Sequence, residues 1–443
     1  MGLMNNPGIF CGWREYFAEL REDYFRQPAA TQVLLGVVIV ASTWSFLFSS
    51  LRWTLAHHHQ DFDGYFVASS ILRHGGDPYD YSQVEAATPK LGAELPQAMT
   101  SPVTLPLLFI PFTFLSLAAA GHVWDFFIVL CQAAAIALLC RMYCRTIMAC
   151  AMVVFLGAGS SAYILSLSLG QISPFIFLLV VLATAFGEAG QYKRAAVFIA
   201  IASAIKIYPL ALFGVFLWRD PRALAFGVGL TIVLLTAPMM LVPHSIYAES
   251  IRMVASQAGN VNTWGQNQSI AAMWYRLLTR GEFYVGIMDS PGLANLVYRI
   301  SMVLGGLIWL VACYLGGRSG RFGTVFGYTI LTGLLFPALT WEHYLVLALV
   351  PIVVLLCCDE ARMNLSRPVY GGSLVAIALV CLPFDYLRVP LARGIFTLFI
   401  SLKTLGLIWL WLVFTGVNLK HRAVGAVATG GRGPMAPDRP AEG

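Results

Sequence analysis

Three observations predict an all-α polytopic membrane protein with about 12 transmembrane helices. The 443-residue chain is 58% hydrophobic and only 11% charged, with a mean hydropathy of +0.73, whereas soluble domains are roughly 45–50% apolar. Apolar runs recur along its length, several of them near the roughly 20 residues that cross about 30 Å of hydrocarbon. Its Lys and Arg gather in short turns between those runs, as the loops of membrane proteins do. Membrane lipid is therefore the expected surrounding, and no nucleic-acid partner is expected.

Residues 1–30 form a cytoplasmic leader carrying Arg14, Glu15, Glu19, Arg21, Glu22, Asp23 and Arg26. No small-residue cleavage site follows a short apolar region, so no removable signal peptide is expected and the first span, Gln32 to Leu51, stays as an anchor. Residues 31–417 are expected to be the membrane domain, with outer loops at 52–101 and 242–292. The tail, 418–443, is rich in Gly and Pro toward its end and reads as a disordered cytoplasmic segment. Most of the nine cysteines lie in or beside apolar runs and none lies in the two long polar loops, so no disulfide is expected.

In the first loop, Gly64 to Arg73 predicts a short juxtamembrane helix that Gly75-Gly76 and Pro78 stop. Pro102 to Leu117 is apolar but short and interrupted by prolines. The further candidate spans are Val123 to Cys140, Ile147 to Ile164, Ile172 to Phe186, Ala195 to Ile205, Leu210 to Trp218 and Leu224 to Leu241. Then come Leu293 to Leu315, Phe322 to Leu339, Tyr344 to Cys358, Leu374 to Phe384 and Ile395 to Val417. If the Pro-rich segment only dips into the outer face and the runs flanking Lys206 are two short crossings, Arg141, Arg145, Lys193, Arg194, Arg219 and Arg222 all fall inside, which the positive-inside rule favours.

That arrangement gathers several polar turns on the outer side: Asp61 and Asp63, Gly170-Gln171, Lys206, the second long loop, and Trp341 to Tyr344. Two acids one residue apart, directly after an apolar helix, are placed for chemistry at the lipid boundary, although a solvated loop entry has the same spacing. Lys206 between two short apolar runs is costly unless it meets a cavity or an anion, or snorkels to the interface.

In register along the chain stand Asp61-Phe62-x-x-Tyr65 followed by Gly75-Gly76-Asp77-Pro78-Tyr79, Ser101-Pro102, Gly170-Gln171, Lys206-x-Tyr208-Pro209, Asn267-Gln268-Ser269 and Trp341-x-His343-Tyr344. Together they resemble the polyprenol-phosphate-mannose-dependent α-mannosyltransferases of glycosyltransferase family 87, in the C-type superfamily. The leader, the last two spans and the tail add nothing to the likeness. The resemblance implies a C-type glycosyltransferase fold and a multispanning enzyme of a bacterial inner membrane. It also implies a polyprenyl-phosphate sugar donor, with mannose as the sugar and a glycolipid or glycan acceptor served on the periplasmic side. Asp61 maps to the general base. Asp63 is a departure, because Asp61-Phe62-Asp63 can be mistaken for the metal-nucleotide motif of soluble glycosyltransferases; those need a nucleotide-binding domain that the chain lacks, and neither metal nor other cofactor is expected.

A single displacement with inversion needs one carboxylate to take a proton from the acceptor hydroxyl, and no enzyme nucleophile. The departing lipid phosphate should be met by cations or hydrogen-bond donors, for which Lys206, His343 and Arg276 are the candidates. Asp63, Tyr65, Gln171, Tyr208, Asn267, Gln268 and Trp341 are expected to bind substrate, although Asn267 and Gln268 could equally cap a helix beginning at Ser269. Trp264, Trp274 and Tyr275 can stack on a sugar or belong to an interfacial aromatic belt. His57-His58-His59 reads as an interfacial loop, since three consecutive side chains cannot all converge on one ion, and Asp125 reads as a paired acid.

Two rival functions share some of these features. A lipid-linked polysaccharide polymerase or ligase would use basic residues in a large outer loop but leaves the Asp61 frame without a task. A secondary transporter also has broken helices, but the two halves of the chain show no repeat and the acids cluster outside the spans.

Overall fold

The computed structural model describes residues 12–56, 59–316, 320–358, 365–383 and 392–430. Its helices are α1 (Trp13–Arg26), α2 (Ala29–Ala56), α3 (Gln60–Arg73), α4 (Tyr81–Ala87), α5 (Thr104–Phe109), α6 (Leu117–Tyr143), α7 (Ile147–Gly159), α8 (Ser161–Leu169) and α9 (Ser173–Glu188). They continue as α10 (Tyr192–Ile205), α11 (Pro221–Thr236), α12 (His244–Ala258), α13 (Ile270–Leu278), α14 (Pro291–Gly316), α15 (Phe322–Leu335), α16 (Leu349–Cys357), α17 (Arg367–Cys381) and α18 (Leu402–Gly430). The only strand pair among the described residues is a two-residue hairpin, Arg280–Gly281 with Tyr284–Val285.

Among the described residues, six stretches are long and apolar enough to cross a membrane: Ala29–Arg52, Leu117–Tyr143, Ile147–Leu169, Pro221–Met240, Pro291–Gly316 and Gly394–Lys420. The sequence reading expected about twelve crossings. The other expected spans fall on shorter pieces, among them Ser173–Glu188, Phe322–Leu335, Glu342–Cys357 and Arg367–Cys381. Much of their surface is buried by protein: nearly every residue of α15 and α16 is inaccessible. A helix surrounded by other helices can be shorter than the bilayer, because its ends meet protein groups before lipid.

The Pro-rich segment is one of these short pieces. Pro106 lies inside α5, a helix of six residues, and Pro111 opens the 3-10 turn Ile110–Phe114 that follows it. Proline cannot donate in the helical ladder, so the segment stays short. Its side chains pack on α3: Phe109 lies 6.1 Å from Phe62 and 5.2 Å from Tyr65, ring centre to ring centre.

The basic turns meet at one end of the helical body. Arg321 pairs with Glu188 at 3.0 Å, Tyr143 donates to the same carboxylate at 2.9 Å, and Arg219 donates to the Gly320 carbonyl. Arg141 lies over the ring of Tyr16, 5.1 Å from its centre, so the leader is docked there through α1. Tyr16 and Leu20 of that helix are buried. At the other terminus α18 continues to Gly430, so the first part of the segment expected to be disordered is helix. Residues 431–443 lie outside the described residues.

Candidate functional site

At the opposite end from the basic turns, a cavity of about 740 Å³ opens beside α3. Asp61, Gly64 and Tyr65 contribute one wall, Ser101 and Pro102 a second, and Gln171, Lys206, Tyr208, Trp341, His343 and Tyr344 further polar and aromatic groups. The segments that carry these residues run from Asp61 to Tyr344 along the chain, and the helices between them bring them back to one place.

Helix α3 begins at Gln60, four residues before the sequence reading placed it, and so carries both acids in its first turn. The helix N-terminus favours negative charge there. Successive residues turn by about 100°, so Asp61 and Tyr65 share a side while Asp63 points away. Asp61 and Tyr65 line the cavity; Asp63 instead lines a small separate pocket with His59, Phe62, His122 and Asp125. The two carboxylates therefore do not converge on one ion or one ligand. His59, the N-cap of α3, is a loop residue as expected, but it is buried in protein against Asp125, Nε2 to Oδ2 at 2.8 Å, which gives Asp125 the partner expected of it. His57 and His58 lie outside the described residues.

The packing around α3 explains how Asp61 is held. Phe62 stacks at 6.2 Å on Trp124, whose indole nitrogen donates to the Gly170 carbonyl at 2.8 Å. Gly170 ends α8 with φ +65°, and a Cβ there would lie 2.6 Å from the Cβ of Phe62 and 2.8 Å from that of His59. Only glycine permits both that backbone conformation and that approach. The approach delivers the next residue, Gln171, whose Nε2 donates to Asp61 Oδ2 at 2.5 Å while its Oε1 accepts from the Tyr65 hydroxyl at 2.9 Å. The amide thus orients the carboxylate and fixes its own rotamer through Tyr65.

Lys206 caps the end of α10 in extended conformation, and the chain then turns into a 3-10 helix that Pro209 opens. Its Nζ lies 5.5 Å from the centre of the Tyr65 ring. Burial raises the Asp61 carboxyl above its ordinary pKa; the Gln171 hydrogen bond and the Lys206 charge oppose the rise without cancelling it. Tyr208 and Tyr344 stack with their centres 4.2 Å apart, and His343 meets Tyr344 edge-on at 4.7 Å. His343 is buried, and neither of its ring nitrogens has a hydrogen-bond partner among the described residues. A buried imidazole so placed at a cavity wall has both nitrogens available to a ligand.

Asn267, Gln268 and Arg276 are placed otherwise. All three are fully buried and none lines the cavity. Asn267 accepts from Thr340 N at 2.9 Å and donates to Ala338 O at 3.1 Å; Gln268 donates to Ile400 O at 3.1 Å. Ser269 caps α13, as the helix-cap alternative had it. Arg276 donates to the carbonyls of Trp264 and Asn267, each at 2.9 Å, and to Ser401 Oγ at 2.8 Å. The Asn267 side chain and the Gln268 backbone bond the stretch at Thr340–Glu342 from behind, and Arg276, which braces the Asn267 segment, is spent on carbonyls rather than directed at a phosphate.

The sequence reading missed Lys403. It is fully buried in the last span, 3.3 Å from Glu342 and bonded to Ser161 Oγ at 2.6 Å and Val380 O at 3.0 Å. Its pairing fixes the residue between Trp341 and His343, and a lone lysine within an apolar span was the available signal. Also missed were α12, which supplies Val254, Ala255 and Gln257 to the cavity, and α14, which supplies Tyr298 and Met302. Trp264 lines it too, whereas the Trp274 indole bonds Ser301 at 3.0 Å.

The model of glycosyltransferase family 87 matches residues 100–340, more than half of the chain. The chain belongs to glycosyltransferase family 87. No curated protein and no solved structure matches it. The family match takes in Ser101-Pro102, Gly170-Gln171, the Lys206 break and the Asn267 segment. It begins after α3, so the place of Asp61 in this family-87 chain rests on the cavity it shares with those motifs. The chain is a membrane glycosyltransferase, with sugar donor and acceptor substrates handled in a lipid setting.

Proposed function

We propose that this glycosyltransferase moves a hexose, mannose by the family resemblance, from a polyprenyl-phosphate donor to a lipid- or glycan-linked acceptor on the non-cytoplasmic side. The transfer is a single displacement with inversion. Asp61 takes the proton of the acceptor hydroxyl, with its orientation set by Gln171. Lys206 and His343 meet the charge that grows on the departing phosphate, and Trp341, Tyr65 and Tyr208 bound the sugar. Arg276, Asn267 and Gln268 hold the wall from behind, and Asp63 acts outside the cavity.

The observation that carries this reading is one carboxylate and one lysine on the walls of the same cavity, next to an imidazole with no hydrogen-bond partner among the described residues. A displacement at the sugar C1 needs a base on one side and a cation on the other. Neither group is bonded to the other, so both remain available to substrate. Metal plays no part in this step.

The test is turnover. Purified protein incubated with a panel of polyprenyl-phosphate sugars and a lipid acceptor should release polyprenyl phosphate from one donor, with mannose transferred and its anomeric configuration inverted. Release from no polyprenyl-phosphate sugar, with transfer from a nucleotide sugar instead, would overturn the donor assignment. Retained configuration would overturn the mechanism.

A further inference from the structure

At the end of the helical body that carries the basic turns, four cysteines from three helices meet. Cys140 is in the last turn of α6 and Cys144 caps it; Cys150 opens α7, and Cys357 ends α16. The sulfurs of Cys140, Cys144 and Cys150 all lie within 4.8 Å of one another, and Cys144 Sγ lies 3.7 Å from Cys357 Sγ. The first three are buried and the fourth is partly so. Glycosyl transfer uses none of them.

We propose that Cys140, Cys144, Cys150 and Cys357 form a closed, tetrahedral thiolate site for one zinc ion that ties α6, α7 and α16 together. Zinc–sulfur bonds of about 2.3 Å in a tetrahedron put the sulfurs roughly 3.8 Å apart. The Cys144–Cys357 separation of 3.7 Å already has that value, the sulfurs of Cys140, Cys144 and Cys150 lie within 4.8 Å of one another, and side-chain rotation of Cys357 closes the site as its fourth ligand. Four soft thiolates select a thiophilic ion over magnesium or calcium.

The surroundings fit such a site. Four thiolates on a divalent ion leave two negative charges, and cations stand close by. Arg321 Nη1 is 3.1 Å from Cys358 Sγ, next in the chain to Cys357, and Arg141 lies over Tyr16. Tyr16 Oη is 3.0 Å from Cys150 Sγ and 3.0 Å from the Cys140 carbonyl, so the leader helix closes over the cluster. A hydroxyl at that position supports a thiolate from outside the ligand set. The basic residues at this end assign it to the cytoplasm, where thiols stay reduced and clustered cysteines bind metal more often than they form disulfides. Binding releases the four thiol protons to solvent, so affinity should fall as pH falls.

The ion is structural and remote from the sugar site. Trp124 bonds the backbone beside Gln171, and Cys140 lies farther along the same helix by about 24 Å at 1.5 Å per residue. Its presence is therefore independent of the donor assignment.

Full-length protein purified in detergent without chelators should contain about one zinc per chain by mass spectrometric metal analysis. Cys144→Ser should lose the zinc, while Cys131→Ser, at a buried cysteine of α6 outside the cluster, should keep it. Because Cys144→Ser can fail to fold, the metal-stripped, reduced wild-type protein is also titrated with cobalt(II). Tetrahedral thiolate coordination gives sulfur-to-cobalt charge transfer and intense visible bands, which should saturate near one equivalent and vanish on adding zinc. Neither zinc nor cobalt bands in the wild type, zinc retained by a folded Cys144→Ser, or a Cys144–Cys357 disulfide in protein alkylated without reductant would each overturn the proposal.

Discussion

Asp61 and Lys206 stand on the cavity wall with capacity left for a ligand, whereas Asn267, Gln268 and Arg276, from the second long loop, have spent theirs on the protein. Asp61 receives one hydrogen bond, from Gln171, and Lys206 Nζ lies over an aromatic ring. Arg276 donates to two carbonyls and to Ser401, and Asn267 uses both ends of its amide. Both sets are polar, in line with the same family motifs, and close to the same cavity. What separates them is where their hydrogen bonds go. A buried polar group with its partners complete is architecture, and one whose partners are incomplete beside a cavity is a candidate for chemistry.

The largest expected effect tests the first set. Asp61→Asn keeps the shape of the side chain but cannot accept the proton, and should lower kcat by roughly 10²–10⁴-fold while the lipid donor still binds. The same carboxyl should be visible in the pH profile. Its pKa is raised by burial, so it holds its proton over a range in which a free aspartate is already ionised. Activity should therefore fall as pH drops through a value above the usual carboxylate range, and Gln171→Ala, which removes the bond that lowers this pKa, should move that limb to higher pH. A limb that stays put would leave Asp61 without its assigned part.

Lys206→Met comes next. A charge-assisted hydrogen bond is worth about 1.5–3 kcal/mol, so donor affinity should weaken roughly 10–100-fold while thermal stability is kept. Unchanged affinity would mean that the ammonium reaches the interface and not the phosphate.

Arg276→Met inverts the pattern. It strands the Trp264 and Asn267 carbonyls in a buried site, and each stranded group costs about 1–3 kcal/mol. The expected result is a lower melting temperature, with donor affinity in the surviving folded protein close to normal. Normal stability with lost donor binding would move Arg276 to the first set and erase the contrast.

Much of this was legible in the sequence because it rests on local signals. The acid pair, the glycine stop after α3, the prolines of the segment after Ser101 and the break at Lys206 each announce themselves within a few residues. Grouping the basic turns at one end followed from charge alone. The number of long spans was not legible, because an apolar run reads the same whether lipid or protein surrounds it, and α15 and α16 are surrounded by protein. Nor was the role of Arg276 or Lys403. Ser401 and Glu342, their respective partners, are distant in sequence, and no local pattern encodes such a pairing. The walls from α12 and α14 carry apolar and small polar residues that composition cannot single out.

The smallest effect is expected at Asp63, the residue that brings the contrast onto a single helix turn. Two residues along a helix rotate a side chain by roughly 200°, so Asp63 leaves the cavity that Asp61 enters. It is buried in the pocket with His59 and Asp125. Burial works against charge on His59, but the Asp125 hydrogen bond and charge, with a further contribution from Asp63, raise its pKa. Asp63 therefore faces the His59–Asp125 pair at the start of α3 rather than the cavity that Asp61 lines. Asp63→Asn removes one charge from that cluster and leaves the His59–Asp125 bond and the Gln171–Asp61 bond in place. Transfer should fall by less than the roughly 10²-fold lower bound for a general base, with the pH limb of Asp61 unmoved. If Asp63→Asn abolishes turnover and Asp61→Asn does not, the base lies on the other side of α3, and the cavity beside Lys206 is not where the proton leaves the acceptor.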